Sequence, residues 1–120
     1  MKRDWDVIRN LLIGIEALTY SDSFDLDTHE LHDPQEKIKL EMADLLLAKG
    51  FFTGERVPYL DGGLGLYNLK LTWDGHELLD TLRDQNVWNR IKEISKEKGV
   101  DLTFESIKVM LSLALSSLLV

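Results

Sequence analysis

Hydrophobic positions in this chain recur at helical spacing in five segments and alternate with polar ones in two shorter segments. The helices are expected at residues 4–18, 34–49, 72–83, 85–98 and from 103 to near the end. The alternating segments, 51–57 and 65–71, flank a glycine-rich loop and predict a β-hairpin. A short strand is expected where Phe24 and Leu26 alternate with acids. The pattern predicts an α+β fold that is mostly helical.

The helix at 34–49 has clear signals at both ends. Asp33 is the expected N-cap, Pro34 suits the first turn, and Gly50 suits the left-handed position after the last turn. The spacing of its apolar residues predicts a buried stripe, formed by Ile38, Met42, Leu45 and Leu46.

Residues 69–80 are expected to run from a strand directly into a helix. Thr72 is the predicted N-cap, and Gly75 is predicted to allow close packing. This return from hairpin to helix is typical of the wing in winged-helix domains. We therefore expect one domain, with a winged-helix core over residues 1–83 and a C-terminal extension of two helices over 84–120. Large buried anchors are predicted at three tryptophans, Trp5, Trp73 and Trp88.

Net charge opposes the functions that need a basic surface. The formal charge is −7, and there is no cysteine to form a disulfide or a thiolate site. The charged N-terminus lacks the apolar run of a secretion signal, so a cytoplasmic location is expected. Lys108 limits the C-terminal apolar run to 12 residues, against the ~20 that a membrane span needs.

Three blocks of sequence resemble a known family. They are Met1-Lys2-Arg3-Asp4-Trp5-Asp6, Leu71-Thr72-Trp73-Asp74-Gly75-His76-Glu77-Leu78-Leu79-Asp80 and Arg83-Asp84-Gln85-Asn86-Val87-Trp88. Together they make the chain similar to the phage- and prophage-associated family of unknown function numbered 2513. The resemblance implies a bacterial or phage cytoplasm and a winged-helix core. It implies no substrate and no functional residues.

Candidate chemistry is sparse along the chain. His76 is expected to be a partly buried histidine that fixes the corner between hairpin and helix, bonded to a carbonyl or an aspartate. His29 and His32, with Asp25, Asp27 and Asp33, are the residues that most resemble metal ligands. No base or nucleophile accompanies them, and no serine has the setting of a catalytic nucleophile. We expect no catalytic residue, metal or cofactor, and hence no enzyme.

A DNA-binding interpretation depends on the outward face of the helix at 34–49 and on the hairpin. Its candidate contacts are Gln35, Lys37, Lys39 and Arg56. Acids interleave with them, whereas helices that read duplex DNA offer mainly basic and amide side chains. Nucleic acid is therefore a disfavoured partner.

Two other stretches predict protein contacts. An acidic segment before the second helix comprises Asp22, Asp25, Asp27, Glu30 and Asp33. The last helix is apolar nearly all round, which predicts a homodimer interface formed by Ile107, Met110, Leu111, Ala114, Leu115 and Leu118.

These expectations favour a non-enzymatic phage or prophage accessory protein that dimerises and binds a host or phage protein. One alternative is a winged-helix transcriptional regulator that binds DNA. Another is an acidic inhibitor that mimics DNA toward a host nucleic-acid enzyme or defence system.

Overall fold

The computed structural model describes residues 2–118, apart from the side chain of Leu118. Its elements are α1 (Trp5–Glu16), β1 (Leu26–Asp27), α2 (Pro34–Lys49), β2 (Phe52–Pro58), β3 (Leu64–Leu71), α3 (Trp73–Leu82), α4 (Gln85–Lys98) and α5 (Phe104–Leu118). The fold is α+β and mostly helical, as predicted. The chain divides into two compact units, one ending at Glu77 and the other beginning at Leu78.

The first unit contains an antiparallel three-stranded sheet in the order β1-β3-β2. Leu26 pairs with Leu66 on one side of β3, and Arg56 pairs with Leu66 on the other. An extra residue in β3 interrupts the pairing opposite Gly54, where Asn68 has a positive φ of 54°. This bulge explains why Leu66 and Leu69 are both buried although they are three residues apart.

Helix α2 has the predicted ends, but a different buried stripe. Asp33 Oδ1 accepts a hydrogen bond from Gln35 N at 2.9 Å, and Gly50 closes the helix with φ 88°. Met42 and Leu46 are buried as predicted, together with Leu40 and Ala43. Ile38 is only half-buried and Leu45 is 38% exposed, so that part of the prediction is wrong. Apolar residues surround most of this helix, and spacing alone therefore did not select the side facing the core.

The junction of β3 and α3 has the predicted geometry. Thr72 Oγ1 accepts from Gly75 N at 3.1 Å and donates to the carbonyl oxygen of Gly50 at 2.6 Å. A Cβ on Gly75 would clash with the carbonyl oxygen of Phe51. Thr72 is therefore the cap, and Gly75 is required for close packing.

The three tryptophans differ in burial. Trp88 is a core residue, and Trp5 is half-buried. Trp73 is 76% exposed, so its prediction as a buried anchor is wrong. It lies on the outer side of α3, opposite Leu78 and Leu82, because the residue phase of that helix places it there. Its indole Nε1 donates to Glu77 Oε1 at 2.8 Å.

The second unit packs α4 against α5. Trp88, Ile91 and Ile94 are buried on α4, and Ile107, Met110 and Ala114 are buried on α5. Asp84 caps α4 through a 3.0 Å hydrogen bond from Val87 N, and Gly99 ends it with φ 64°. The apolar stripe of each helix thus covers that of its neighbour.

Candidate functional site

Five polar side chains meet where β1 and the hairpin loop approach each other in the first unit. We call them the hairpin-tip cluster: Asp27, His29, Tyr59, Asp61 and Tyr67. Asp27 ends β1, Tyr67 lies on β3, and Tyr59 and Asp61 lie in the loop between β2 and β3. The pairing of β1 with β3 brings together residues that are up to 40 positions apart.

Asp27 is the central acceptor of this cluster. Its Oδ2 accepts from Tyr67 Oη at 2.6 Å and from Tyr59 Oη at 2.8 Å, and the two phenols also contact each other. Its Oδ1 accepts from the backbone N–H of His29 at 2.9 Å. The bond from Tyr67, followed by that from His29 N, lowers the pKa of Asp27. The same bond to Asp27 raises the pKa of Tyr67.

His29 connects the turn after β1 to the hairpin loop. Its Nε2 lies 2.8 Å from Asp61 Oδ2, and its ring stacks on Tyr59 with 4.4 Å between centroids. The hydrogen bond to Asp61, with the charges of Asp61 and Asp27, raises the pKa of His29. The bond from Gly63 N, followed by that from His29, lowers the pKa of Asp61. The pair therefore favours an imidazolium facing two carboxylates.

The loop itself is a closed turn, residues 59–63, which we call the hairpin tip. Tyr59 N donates to Gly63 O at 2.9 Å, and Gly62 N donates back to Tyr59 O at 3.1 Å. Asp61 Oδ1 accepts from Gly63 N at 2.9 Å. Gly62 has φ 89°, which few other residues adopt. Leu60, in the middle of this turn, is fully exposed.

The chemistry of the cluster is that of a brace. Tyr67, with its raised pKa, stays a neutral donor, while Asp27, with its lowered pKa, stays an acceptor. Every side chain of the cluster is hydrogen-bonded to another member, which ties the turn after β1 to the hairpin loop.

The residues that most resembled metal ligands in the sequence have separate structural roles. Asp25 Oδ1 accepts from Asn68 N at 2.7 Å, and Asp33 caps α2. Over residues 2–118 there is no group of three or more histidines and carboxylates arranged to hold a metal ion.

Four of the five predicted acidic-segment residues accept hydrogen bonds within the described part of the chain. Asp22 accepts from Thr19 Oγ1 at 2.7 Å, while Asp25, Asp27 and Asp33 accept the bonds given above. Glu30 is exposed and lies close enough to Tyr59 to influence its titration. The segment is thus held in place by its own acids.

Net charge is divided unequally between the two units. The first unit carries 15 acidic and 8 basic residues, whereas the second carries six of each. The full charge of −7 therefore belongs to the first unit.

The four candidate DNA contacts differ in whether their side chains have a partner within the chain. Arg56 Nε lies 2.8 Å from Asp44 Oδ1, and Arg56 Nη2 lies 3.3 Å from Asp44 Oδ2. Lys39 Nζ lies 5.4 Å from the ring centroid of Phe24. Gln35 and Lys37 are exposed on α2. Two of the four side chains thus already have partners within the chain.

The predicted dimer residues also separate into two groups. Ile107, Met110 and Ala114 are buried within their own chain, and Leu111 is half-buried. Leu115 is 42% exposed, and the side chain of Leu118 lies outside the described residues. The apolar side chains that α5 leaves most exposed are Val109 (63%) and Leu113 (44%), which the prediction did not include.

His76 is exposed, contrary to the partly buried histidine that was predicted. Its Nδ1 lies 3.9 Å from Glu16 Oε2 rather than from an aspartate or a carbonyl. Together with Tyr20 and Lys70, the pair lines a shallow groove of about 280 Å³.

Sequence reasoning missed Tyr59, Asp61 and Tyr67. The available signal was the pair of tyrosines on either side of an Asp-Gly-Gly turn, opposite a strand that ends in aspartate. Using that signal required the register between β1 and β3, which is set by long-range pairing.

The chain matches a known protein family over most of its length. A model of the hypothetical-protein family DUF2513 matches residues 2–101. The chain belongs to the DUF2513 family. An uncharacterized protein of Haemophilus influenzae (strain ATCC 51907 / DSM 11121 / KW20 / Rd) is 32% identical, over 99% of each chain. No solved structure matches. The DUF2513 match includes the whole hairpin-tip cluster and ends before α5.

Within the described part of the chain, no helix is both long enough and apolar enough to cross a bilayer.

Proposed function

We propose that this DUF2513 member is a non-enzymatic accessory protein of phages or prophages that binds a basic protein partner through its first unit. The observation that carries the proposal is the confinement of the net charge of −7 to residues 2–77. A surface of one sign attracts a partner of the opposite sign and speeds its association.

The free acids of this unit indicate where such a partner would bind. Glu30, Glu36, Glu41 and Glu55 are exposed, and none of them makes an ion pair within residues 2–118. Carboxylates without an internal partner keep their full charge available to an incoming Lys or Arg. The two cluster carboxylates, by contrast, already hold the loop, and Asp61 is 62% exposed whereas Asp27 is 15% exposed.

A double variant tests the proposal. Glu30→Gln with Glu55→Gln removes two charges from the first unit, and Asp101→Asn with Glu105→Gln removes two from the second. The partner is identified by crosslinking and mass spectrometry in the natural host, and its affinity is then measured by titration. We expect the first pair to weaken binding by about tenfold, because each exposed charge contributes up to ~1 kcal/mol, and the second to leave it unchanged. Equal effects of both pairs would contradict the proposal.

Inhibition by DNA mimicry is the second candidate, because the same free glutamates could take the place of phosphates. Under this hypothesis the partner is a nucleic-acid enzyme. Duplex DNA would then compete with this protein for binding to that enzyme. A partner that binds equally well at any DNA concentration would reject this form of the proposal.

The winged-helix regulator remains a third candidate because of the topology. A helix, a short strand, a second helix and a hairpin follow one another, and the first strand pairs with the second arm of the hairpin. We expect no shift of labelled duplex DNA at about 50 mM salt, since Arg56 is paired and acids flank Lys37. Binding that is lost in Lys37→Glu would favour the regulator.

Dimerisation is proposed to use the exposed side of α5. Val109 and Leu113 are one turn apart and form a single apolar strip, which a second copy could cover. Sedimentation at tens of micromolar is expected to show a dimer that Val109→Glu dissociates and that Val100→Glu, at another exposed valine outside α5, leaves intact. A monomer in the unmodified protein would remove this part of the proposal.

A further inference from the structure

The hairpin tip combines a rigid backbone with one apolar side chain that its own chain leaves uncovered. Leu60 is fully exposed, although it lies in a turn closed by two backbone hydrogen bonds between Tyr59, Gly62 and Gly63. A leucine side chain is stabilised when it leaves water, and the hairpin tip provides no such cover for Leu60.

The cluster explains why Leu60 does not fold back. Tyr59 is held on one side of it by Asp27 and by the stack on His29, and Asp61 is held on the other by His29 and Gly63 N. Both neighbours of Leu60 are therefore fixed by side-chain contacts as well as by the turn. A fixed loop loses little conformational freedom when it binds, which increases affinity.

The surroundings of the tip are acidic. Asp61 is adjacent in sequence, and Asp27 and Glu30 both act electrostatically on Tyr59. The sequence has no lysine or arginine in residues 57–69 or in residues 10–36. Within the cluster, His29 supplies the cationic group, and it is engaged with Asp61.

This charge distribution selects among the surfaces that accept an exposed leucine. Apolar wedges can enter DNA, and apolar loops can enter bilayers, but phosphates of nucleic acids or anionic lipids would face the exposed carboxylates of Asp61 and Glu30 here. A protein pocket with an apolar floor and a rim of Lys or Arg side chains satisfies both the leucine and the carboxylates.

We propose that the hairpin tip is a preorganised anchor, in which Leu60 enters an apolar pocket on a protein partner and the exposed carboxylates of Asp61 and Glu30 face its basic rim. The inference rests on the proposed function, because it takes the partner to be a basic protein. It adds the contacting residue and the kind of pocket that receives it.

The full chain carrying a benzophenone amino acid at position 60 or 36 is expressed in the natural host and irradiated. Position 60 is expected to give an adduct with one protein, identified by mass spectrometry. Adducts at position 36 without any at 60 would overturn the anchor and leave the proposed function standing. Absence of adducts at both 36 and 60 would overturn both.

The identified partner is then titrated with purified variants. Leu60→Ser is expected to weaken binding at least tenfold, as the loss of a buried leucine predicts. Tyr20→Ser, which replaces another almost fully exposed side chain of the same unit, is expected to change it less than twofold. Equal affinities of Leu60→Ser and the unmodified protein would overturn the inference. So would binding to duplex DNA, or to vesicles with equal parts phosphatidylglycerol and phosphatidylcholine, that Leu60→Ser abolishes.

Rigidity of the tip is measured independently by ¹⁵N relaxation. The amides of residues 60–63 are expected to be as ordered as those of β3, and His29→Gln is expected to loosen them while leaving β3 unchanged. A tip as mobile as a free loop in the unmodified protein would contradict the proposed preorganisation.

Discussion

Replacement of Gly75 by alanine tests the junction between the hairpin and α3. The added Cβ would be directed at the Phe51 carbonyl, whose carbon lies 3.2 Å from the ideal Cβ position, while Leu71 Cδ2 lies 3.4 Å from it. The Phe51 oxygen also accepts from Thr72 N at 3.0 Å. Relief of the clash therefore requires movement of a backbone group that is already hydrogen-bonded.

The change in the free energy of unfolding combines two destabilising terms and one stabilising term. Overpacking costs about 1–3 kcal/mol, and loss of the Thr72–Phe51 hydrogen bond costs ~1 kcal/mol more. Alanine gains up to ~1 kcal/mol over glycine from helix propensity. We expect Gly75→Ala to lower the free energy of unfolding by about 1–3 kcal/mol.

Gly14 in α1 provides the matched control. An ideal Cβ there would have Phe24 Cε2 as its nearest neighbour, at an ordinary contact distance of 3.8 Å. Gly14→Ala is therefore expected to leave stability unchanged or to raise it by up to ~1 kcal/mol. Urea unfolding followed by circular dichroism measures both variants. A Gly75→Ala protein as stable as the Gly14→Ala protein would refute the reasoning about close packing.

Two further substitutions test the caps and the cluster. Asp33→Ala is expected to cost ~1 kcal/mol through loss of the bond to Gln35 N, and Asp33→Asn to cost little, since asparagine caps equally well; urea unfolding of both compares them, and equal losses would contradict the capping role. His29 has a raised pKa because Asp61 binds it and because Asp61 and Asp27 are negative, so its contribution is full below the ordinary value of 6.5 and is lost as pH rises through the raised value. His29→Gln should therefore destabilise the protein more at low than at high pH in thermal melts, and an equal effect at all pH values would contradict the ion pair.

Local signals accounted for most of the fold. The caps at Asp33, Thr72 and Gly50 act within one turn of the chain, so the ends of α2 and the start of α3 could be read from the residues themselves. The hairpin was predicted to within one residue at each end, because a glycine-rich loop separates two alternating segments. Propensity and turn chemistry agree in these places.

Burial on individual helix faces was less predictable. Trp73 is the first residue of α3. At the end of a helix, the spacing of apolar residues gives little information about which side a residue faces. The aromatic type suggested a core position, but the side chain is directed outward and bonded to Glu77. On α5, the apolar residues nearly encircle the helix, so the sequence did not show that Ile107 and Ala114 would face α4.

The candidate site depends on contacts that no local signal contains. Asp27 was predicted as a member of an acidic surface, and in the fold it accepts from two tyrosines that lie 32 and 40 positions away. The acidic composition was evident from the sequence, whereas the role of each acid depended on strand register.

This difference changes how the acidic surface should be tested. Neutralisation of Asp22, Asp25, Asp27 and Asp33 would remove charge and local structure together, because each accepts hydrogen bonds that hold a turn, a strand end or a helix start. A loss of binding in such variants would not separate electrostatic attraction from misfolding. The exposed glutamates Glu30, Glu36, Glu41 and Glu55 lack those roles in the described structure, so their replacement by glutamine isolates charge. An effect on binding that follows these glutamates and leaves the unfolding midpoint unchanged would therefore identify attraction as its cause.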